Sequence, residues 1–127
     1  MKILVDTSVW IDYFRTGLNS GDLDILIDEN ILVINDIILA ELIPFLKVKK
    51  QNKVIQLLNY VTKLDLDIDW SEIIQFQVAC LQSGLNGIGI PDLIIAQNSL
   101  QYYCQVYTLD KHLKLLKDII DLHIYND

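Results

Sequence analysis

Lys2-Ile3-Leu4-Val5-Asp6-Thr7-Ser8 is the stretch that decides the fold. A short apolar run that ends in an acid and two hydroxyl residues reads as a buried strand passing straight into a helix N-terminus. The helix expected next, over residues 7–15, places Val9, Trp10, Tyr13 and Phe14 at helical spacing, and Gly17 and Gly21 close it off. The alternation then repeats. Residues 22–28 suit a short helix with Leu23, Leu26 and Ile27 inward, and 31–34 a second buried strand. Asn35 or Asp36 can cap a helix carrying Glu41, which Pro44 is expected to kink or end. Val54, Leu57, Leu58 and Val61 mark an amphipathic helix over 51–63, and residues 64–67 alternate with period two as a third strand. Ser71 can cap a long helix that turns Ile73, Phe76, Cys80 and Leu81 inward and stops at Gly84. After a loop over 85–90, Pro91 and Asp92 open a helix through Leu93, Ile94, Ala96 and Leu100. A fourth strand is expected over 105–108, a short helix over 111–117 and a last strand over 119–125. Strands alternating with helices predict an α/β domain with a mainly parallel sheet covered on both faces, one domain over residues 1–127.

Composition agrees with a packed domain and narrows its chemistry. Of the 127 residues 52% are hydrophobic, and 20 Ile and 21 Leu dominate them, which supplies a substantial core. The greasiest stretch, 31–46, is broken by Asn35, Asp36 and Glu41, so no membrane span is expected. With Asp6 inside the opening run, no signal peptide is expected either, and the reading is a cytoplasmic protein. Cys80 and Cys104 read as free buried thiols. The net charge of −7, with Arg15 the single arginine, argues against a module that grips nucleic acid by neutralising phosphates. An enzyme that meets phosphates through bound cations stays compatible with it.

Four acids fall where this pattern puts the carboxyl edge of the sheet or the helix just beyond it. Asp6 follows the first strand, Glu41 rides the helix after the second, Asp92 opens the helix leading into the fourth, and Asp110 follows the fourth. Ligand sites of open α/β sheets collect at this edge. At roughly 5 Å and an effective dielectric of about 20, each pair of carboxylates repels by around 3 kcal/mol. Protonation offsets that, and so does a hard divalent cation; Mg²⁺ takes one or two carboxylates directly and keeps waters. Binding of Mg²⁺ or Mn²⁺ is the inferred chemistry, against the plainer job of an Asp before a helix, which is to cap it.

The segments Ile3-Leu4-Val5-Asp6-Thr7-Ser8-Val9-Trp10-Ile11-Asp12-Tyr13-Phe14-Arg15, Leu39-Ala40-Glu41-Leu42, Pro91-Asp92-Leu93-Ile94-Ile95-Ala96 and Tyr107-Thr108-Leu109-Asp110-Lys111 together resemble a PIN domain. The opening is similar to that of the VapC-type toxin ribonucleases, and the likeness runs in order along nearly the whole chain. It implies a three-layer α/β/α sandwich and Mg²⁺- or Mn²⁺-dependent hydrolysis of RNA phosphodiester bonds. It also implies a cognate antitoxin that restrains the enzyme, and a homodimer. Carried over by position, the acidic site is Asp6, Glu41, Asp92 and Asp110. Asp6 and Asp92 would be direct ligands, Glu41 and Asp110 would act through water or a second metal, and Thr7 would be the hydroxyl beside the first acid. Gln97 and Asn98 depart from the small residues common after the third acid, and Leu113 stands where an aromatic often follows the fourth.

Other features have plainer readings. Trp10, Tyr13 and Phe14 suit either core or a groove for an antitoxin helix. Lys47, Lys49, Lys50 and Lys53 form a basic cluster that suits a solvated turn, and Lys111, Lys114 and Lys117 share a helical face expected to stay wet. His112 and His123 lack zinc-ligand spacing. A PIN-fold binding module without catalysis is the alternative. A receiver-like phosphoacceptor domain shares the opening and an acidic pocket. It would need an acidic pair where Asp6-Thr7 stands and a Lys-Pro where Lys111-His112 stands.

Overall fold

The computed structural model describes residues 1–126. Its elements run β1 (Ile3–Val5), α1 (Thr7–Arg15), α2 (Leu23–Asp28), β2 (Leu32–Ile34), α3 (Asp36–Val48), α4 (Asn52–Leu58), β3 (Thr62–Lys63), α5 (Trp70–Gln82), α6 (Ile90–Gln101), β4 (Gln105–Tyr107) and α7 (Lys111–Ile120). Four strands form one sheet in the order β3-β2-β1-β4, every pair parallel. Ile3 to Val5 are buried throughout, as a central parallel strand requires. One apolar cluster packs α1 to α4 against the sheet around Leu4, Trp10, Ile38 and Leu42, and a second gathers α5, α6 and α7 around Ile73, Leu93, Leu113 and Leu116. The result is the α/β/α sandwich expected from the alternation. Both cysteines are free and buried. Among the described residues no helix is long and apolar enough to cross a membrane.

Several local expectations are corrected. Pro44 does not end α3, which continues to Val48. The carbonyl it deprives of a donor belongs to Ala40, an exposed residue, so the lost bond leaves no buried acceptor unpaired. The third strand is Thr62–Lys63 rather than 64–67, so α4 stops at Leu58. Leu64 N–H still reaches Ile34 O at 2.7 Å, but β2 turns into α3 there and nothing remains for residues 65–67 to pair with. The Asp65 and Asp67 carbonyls instead accept from Asn98 and Gln101. Asp69, not Ser71, caps α5, and Leu81 and Ile27 face outward. The last strand shrinks to one bridge, Val106 to Ile124, because α7 runs on to Ile120 and ends at Asp121 in the left-handed region.

Gln97 and Asn98, which depart from the family's small residues, are buried polar residues with a structural role. Asn35 Nδ2 donates to Asn98 Oδ1 at 2.9 Å, Asn98 Nδ2 to Asp65 O at 2.9 Å, and Gln97 holds Asp69 through both its N–H and its carbonyl. Asn35 Oδ1 meanwhile caps α3 at Ile38 N. This network ties β2, the segment before α5, and α6 together through the core.

Candidate functional site

All four sequence-predicted acids come to the carboxyl edge of the sheet. Asp6 stands where β1 ends and is 6% exposed. It occupies the N-cap position of α1, yet its side chain makes no capping bond. Its Oδ2 accepts from Ser8 Oγ at 2.8 Å and Thr108 Oγ1 at 2.9 Å. Glu41 sits on α3, its Oε1 accepting from Thr7 Oγ1 at 3.1 Å. Asp92, in the first turn of α6, takes Gly89 N–H on Oδ2 at 3.3 Å. Asp110 caps α7, with Oδ1 accepting from His112 N at 2.8 Å and Leu113 N at 3.4 Å.

The capping role is therefore real for Asp92 and Asp110 and absent for Asp6. In every case, however, only one carboxylate oxygen is committed. Asp6 Oδ1, Glu41 Oε2, Asp92 Oδ1 and Asp110 Oδ2 have no protein donor among the described residues.

The acids also feel one another. Glu41 is exposed as a residue, but partial shelter of its carboxyl pushes its pKa up; the Thr7 bond opposes this, and the charges of Asp6 and Asp92 add to it. Burial likewise raises Asp92, with the Gly89 bond and His112 opposing and Asp110 and Asp6 reinforcing. Among the described residues no group of three His, Cys, Asp or Glu side chains is close enough together to hold a metal ion between them. A cation that keeps most of its waters does not need one. Free oxygens of hard type, held at one edge where burial and neighbouring charge raise Glu41 and Asp92, fit Mg²⁺ or Mn²⁺ as a donor set.

Sequence reasoning missed three members of this site. Ser8 and Thr108, 3.3 Å apart, hold Asp6 between them, and their oxygens also accept Leu109 N–H and Asp110 N–H at 3.0 Å each. The hydroxyl at position 8 is visible in the opening run, but only the β1–β4 pairing brings Thr108 beside it. His112 is the other neighbour. Its Nδ1 lies 3.8 Å from Asp110 Oδ1, and its ring rests on Gly87, where a Cβ would come within 2.6 Å of Nε2.

On the opposite side of α1, Trp10, Tyr13 and Phe14 line a groove of about 440 Å³ with Ile27, Val54 and Leu57. Trp10 stacks on Phe14 at 5.8 Å, and its Nε1–H finds no acceptor among the described residues. The aromatics thus serve core and groove together.

Comparison with known proteins places this geometry. None of the curated protein sequences matches the chain. Among solved structures, a chain of VapBC2 from Rickettsia felis bound to a DNA fragment from the promoter superposes with a TM-score of 0.76 at 23% identity, covering 98% of this chain and 97% of that one. FitAcB from Neisseria gonorrhoeae gives 0.71 at 24% identity, covering 98% and 96%. DNA-bound VapBC from Salmonella typhimurium gives 0.74 at 19%, again covering 98% and 96%. At such identities the likeness is one of fold. The sequence itself matches the family model of the PIN domain over residues 3–119, a span that takes in β1 to α7 and all four acids. The chain belongs to the PIN domain family.

Proposed function

We propose that this chain is a metal-dependent endoribonuclease, the toxin half of a toxin–antitoxin pair. The observation that carries the reading is the set of four carboxylates at one sheet edge, each anchored through one oxygen and free at the other. Asp6 and Asp92 would hold Mg²⁺ or Mn²⁺ directly, with Glu41 and Asp110 reaching it through water or completing a second site. A bound cation there supplies positive charge against a phosphate and lowers the pKa of a water.

The chain's own residues do the rest. Ser8 and Thr108 fix Asp6 in one orientation, so the pull of its free oxygen is already organised before substrate arrives. Glu41, sheltered and raised in pKa, would accept a proton from the attacking water; Asp110 is the other candidate for that step. Thr7 holds Glu41 by its other oxygen.

The apolar groove beside Trp10 and Tyr13 suits the apolar face of an antitoxin helix. The VapBC and FitAcB structures that share this fold are named as pairs, which supports a partner of that kind. A homodimer working in the cytoplasm completes the reading.

The test is cleavage of a mixed small-RNA pool by purified protein in Mn²⁺, in Mg²⁺ and in EDTA, beside Asp6→Asn prepared identically. Metal-dependent cutting that disappears in the variant is expected. Equal cutting by Asp6→Asn, or cutting in EDTA, sinks the assignment.

A further inference from the structure

A second concavity opens beside the acidic edge. It encloses about 280 Å³, and Asn19, Asp22, Thr108, Lys114 and Tyr125 line it. It shares Thr108 with the acidic site, where that hydroxyl donates to Asp6. Lys114 stands one helical turn beyond Asp110, its N–H closing the Asp110 carbonyl at 3.1 Å, so the two side chains share a face of α7.

Two features of this pocket have no structural use. Lys114 lies within 4.0 Å of no carboxylate among the described residues, although the chain carries a net charge of −7. Asp22 accepts from Tyr125 Oη, on Oδ2 at 3.3 Å, and its Oδ1 has no donor among the described residues. The Tyr125 ring in turn leans on Tyr107, centroids 5.0 Å apart, which fixes the wall from which it reaches Asp22. A cation and an acceptor-only group line one hollow that is joined to the acidic edge through Thr108 and the first turn of α7.

We propose that this pocket takes a nucleotide of single-stranded RNA flanking the scissile phosphate, with Lys114 on the adjoining phosphate and Asp22 on the base. The proposal rests on the nuclease reading and names how its substrate is held. Phosphate contacts position a strand and base contacts select it. An acidic enzyme needs a cation at the strand's entry to offset repulsion from the polyanion, and Lys114 is placed for it. A carboxylate can only accept, so Asp22 favours the amino group of cytosine over uracil, whose single N3–H donor is flanked by two carbonyl oxygens that repel a carboxylate.

The experiment measures binding of fluorescein-labelled RNA octamers of cytidine and of uridine by anisotropy across a salt series. The protein carries Asp6→Asn so that nothing is cut. Adding Lys114→Gln is expected to weaken both octamers about tenfold and to flatten the log Kd against log salt slope by about 0.7, as for one lost phosphate contact on a single strand. Adding Asp22→Asn instead is expected to shrink the preference for cytidine over uridine. Parent and Lys114→Gln proteins that bind alike at every salt overturn the proposal, and so does a parent that binds neither octamer. The nuclease reading fails separately. If the wild-type protein cuts no RNA while the Lys114 effect on binding is present, the pocket stands and catalysis falls. If wild type cuts and Lys114→Gln leaves its KM unchanged, catalysis stands and the pocket falls.

Discussion

Replacing Asp92 by Asn should make the metal-free protein more stable and the metal-loaded protein less so. The Asp92 carboxylate is half-buried, and burial is the first cause that raises its pKa, with Asp110 and Asp6 adding to it. Across roughly 7 Å and an effective dielectric of about 40, each of those two charges opposes it by about 1 kcal/mol, a figure that solvent screening roughly halves at a partly exposed site. Against that gain, Asn keeps an oxygen for Gly89 N–H but forfeits the carboxylate's attraction to the helix N-terminus, about 0.3–1 kcal/mol. The net is a gain of about 0.5 kcal/mol, and for a chain of this length about 1 kcal/mol corresponds to roughly 4 °C, so Tm in EDTA should rise by about 2 °C. In Mn²⁺ at about 100 times its Kd the wild type should gain about 2.7 kcal/mol, roughly 10 °C, and the variant far less. The two proteins should therefore exchange rank between buffers. The pH dependence has a definite sign: a raised carboxyl leaves stability intact below its ordinary value of 3.8 and loses it as pH climbs through the raised folded value. The advantage of Asp92→Asn in EDTA should accordingly vanish as pH falls below 3.8. Thermal melts followed by far-ultraviolet circular dichroism at three pH values, with EDTA and with Mn²⁺, measure all of this. A variant that melts several degrees below wild type in EDTA, with the same Mn²⁺ shift, would refute the reasoning and leave Asp92 a helix cap and nothing more.

Asn98→Ala should cost about 2–4 kcal/mol, since it strands the buried Asn35 Nδ2 and the Asp65 carbonyl together, and a urea titration that finds under 1 kcal/mol would contradict the network's role. Thr7→Val removes the bond that holds Glu41's burial-raised pKa down, so the acidic limb of the kcat/KM profile should move to higher pH; an unmoved limb would take Glu41 out of the proton transfer. Gly87→Ala places a Cβ 2.6 Å from the end of the movable His112 side chain, so Tm should change by only about 2 °C or less while the His112 ring resonances shift in NMR spectra.

What the sequence disclosed was local, and what it withheld depended on partners far along the chain. The run into Asp6 announces a strand and a helix start by itself, and α1 begins and ends where its spacing says. Asp6, Glu41, Asp92 and Asp110 were legible because strand ends in a parallel sheet share an edge whatever the details of packing. Residues 64–67 misled because alternation measures which side chains are buried, and beyond Leu64 the neighbouring strand has ended, so nothing pairs residues 65–67. Gln97 and Asn98 looked like departures because their partners, Asp69, Asn35 and Asp65, are 28 or more residues away. Lys114 is exposed as its helical face suggested, and only the fold sets it around one hollow with Asp22 and Tyr125.

The placement of the acids also accounts for how a chain of net charge −7 tolerates them at one edge. Each carboxylate is anchored by a donor from its own helix start, its own loop or an adjoining element: Ser8 and Thr108 for Asp6, Thr7 for Glu41, Gly89 for Asp92, and the His112 and Leu113 amides for Asp110. Those bonds stabilise the charged forms one at a time and leave burial and the shared repulsion standing, which is why Glu41 and Asp92 remain raised in pKa. On the proposed reading, the repulsion left standing is what gives such a site reason to bind a cation. Removing a single anchor and removing a single acid should then have opposite signatures: the first loosens the metal-free protein, the second tightens it. Thr108→Val beside Asp92→Asn, melted together in EDTA, sets those two signs against each other in one experiment.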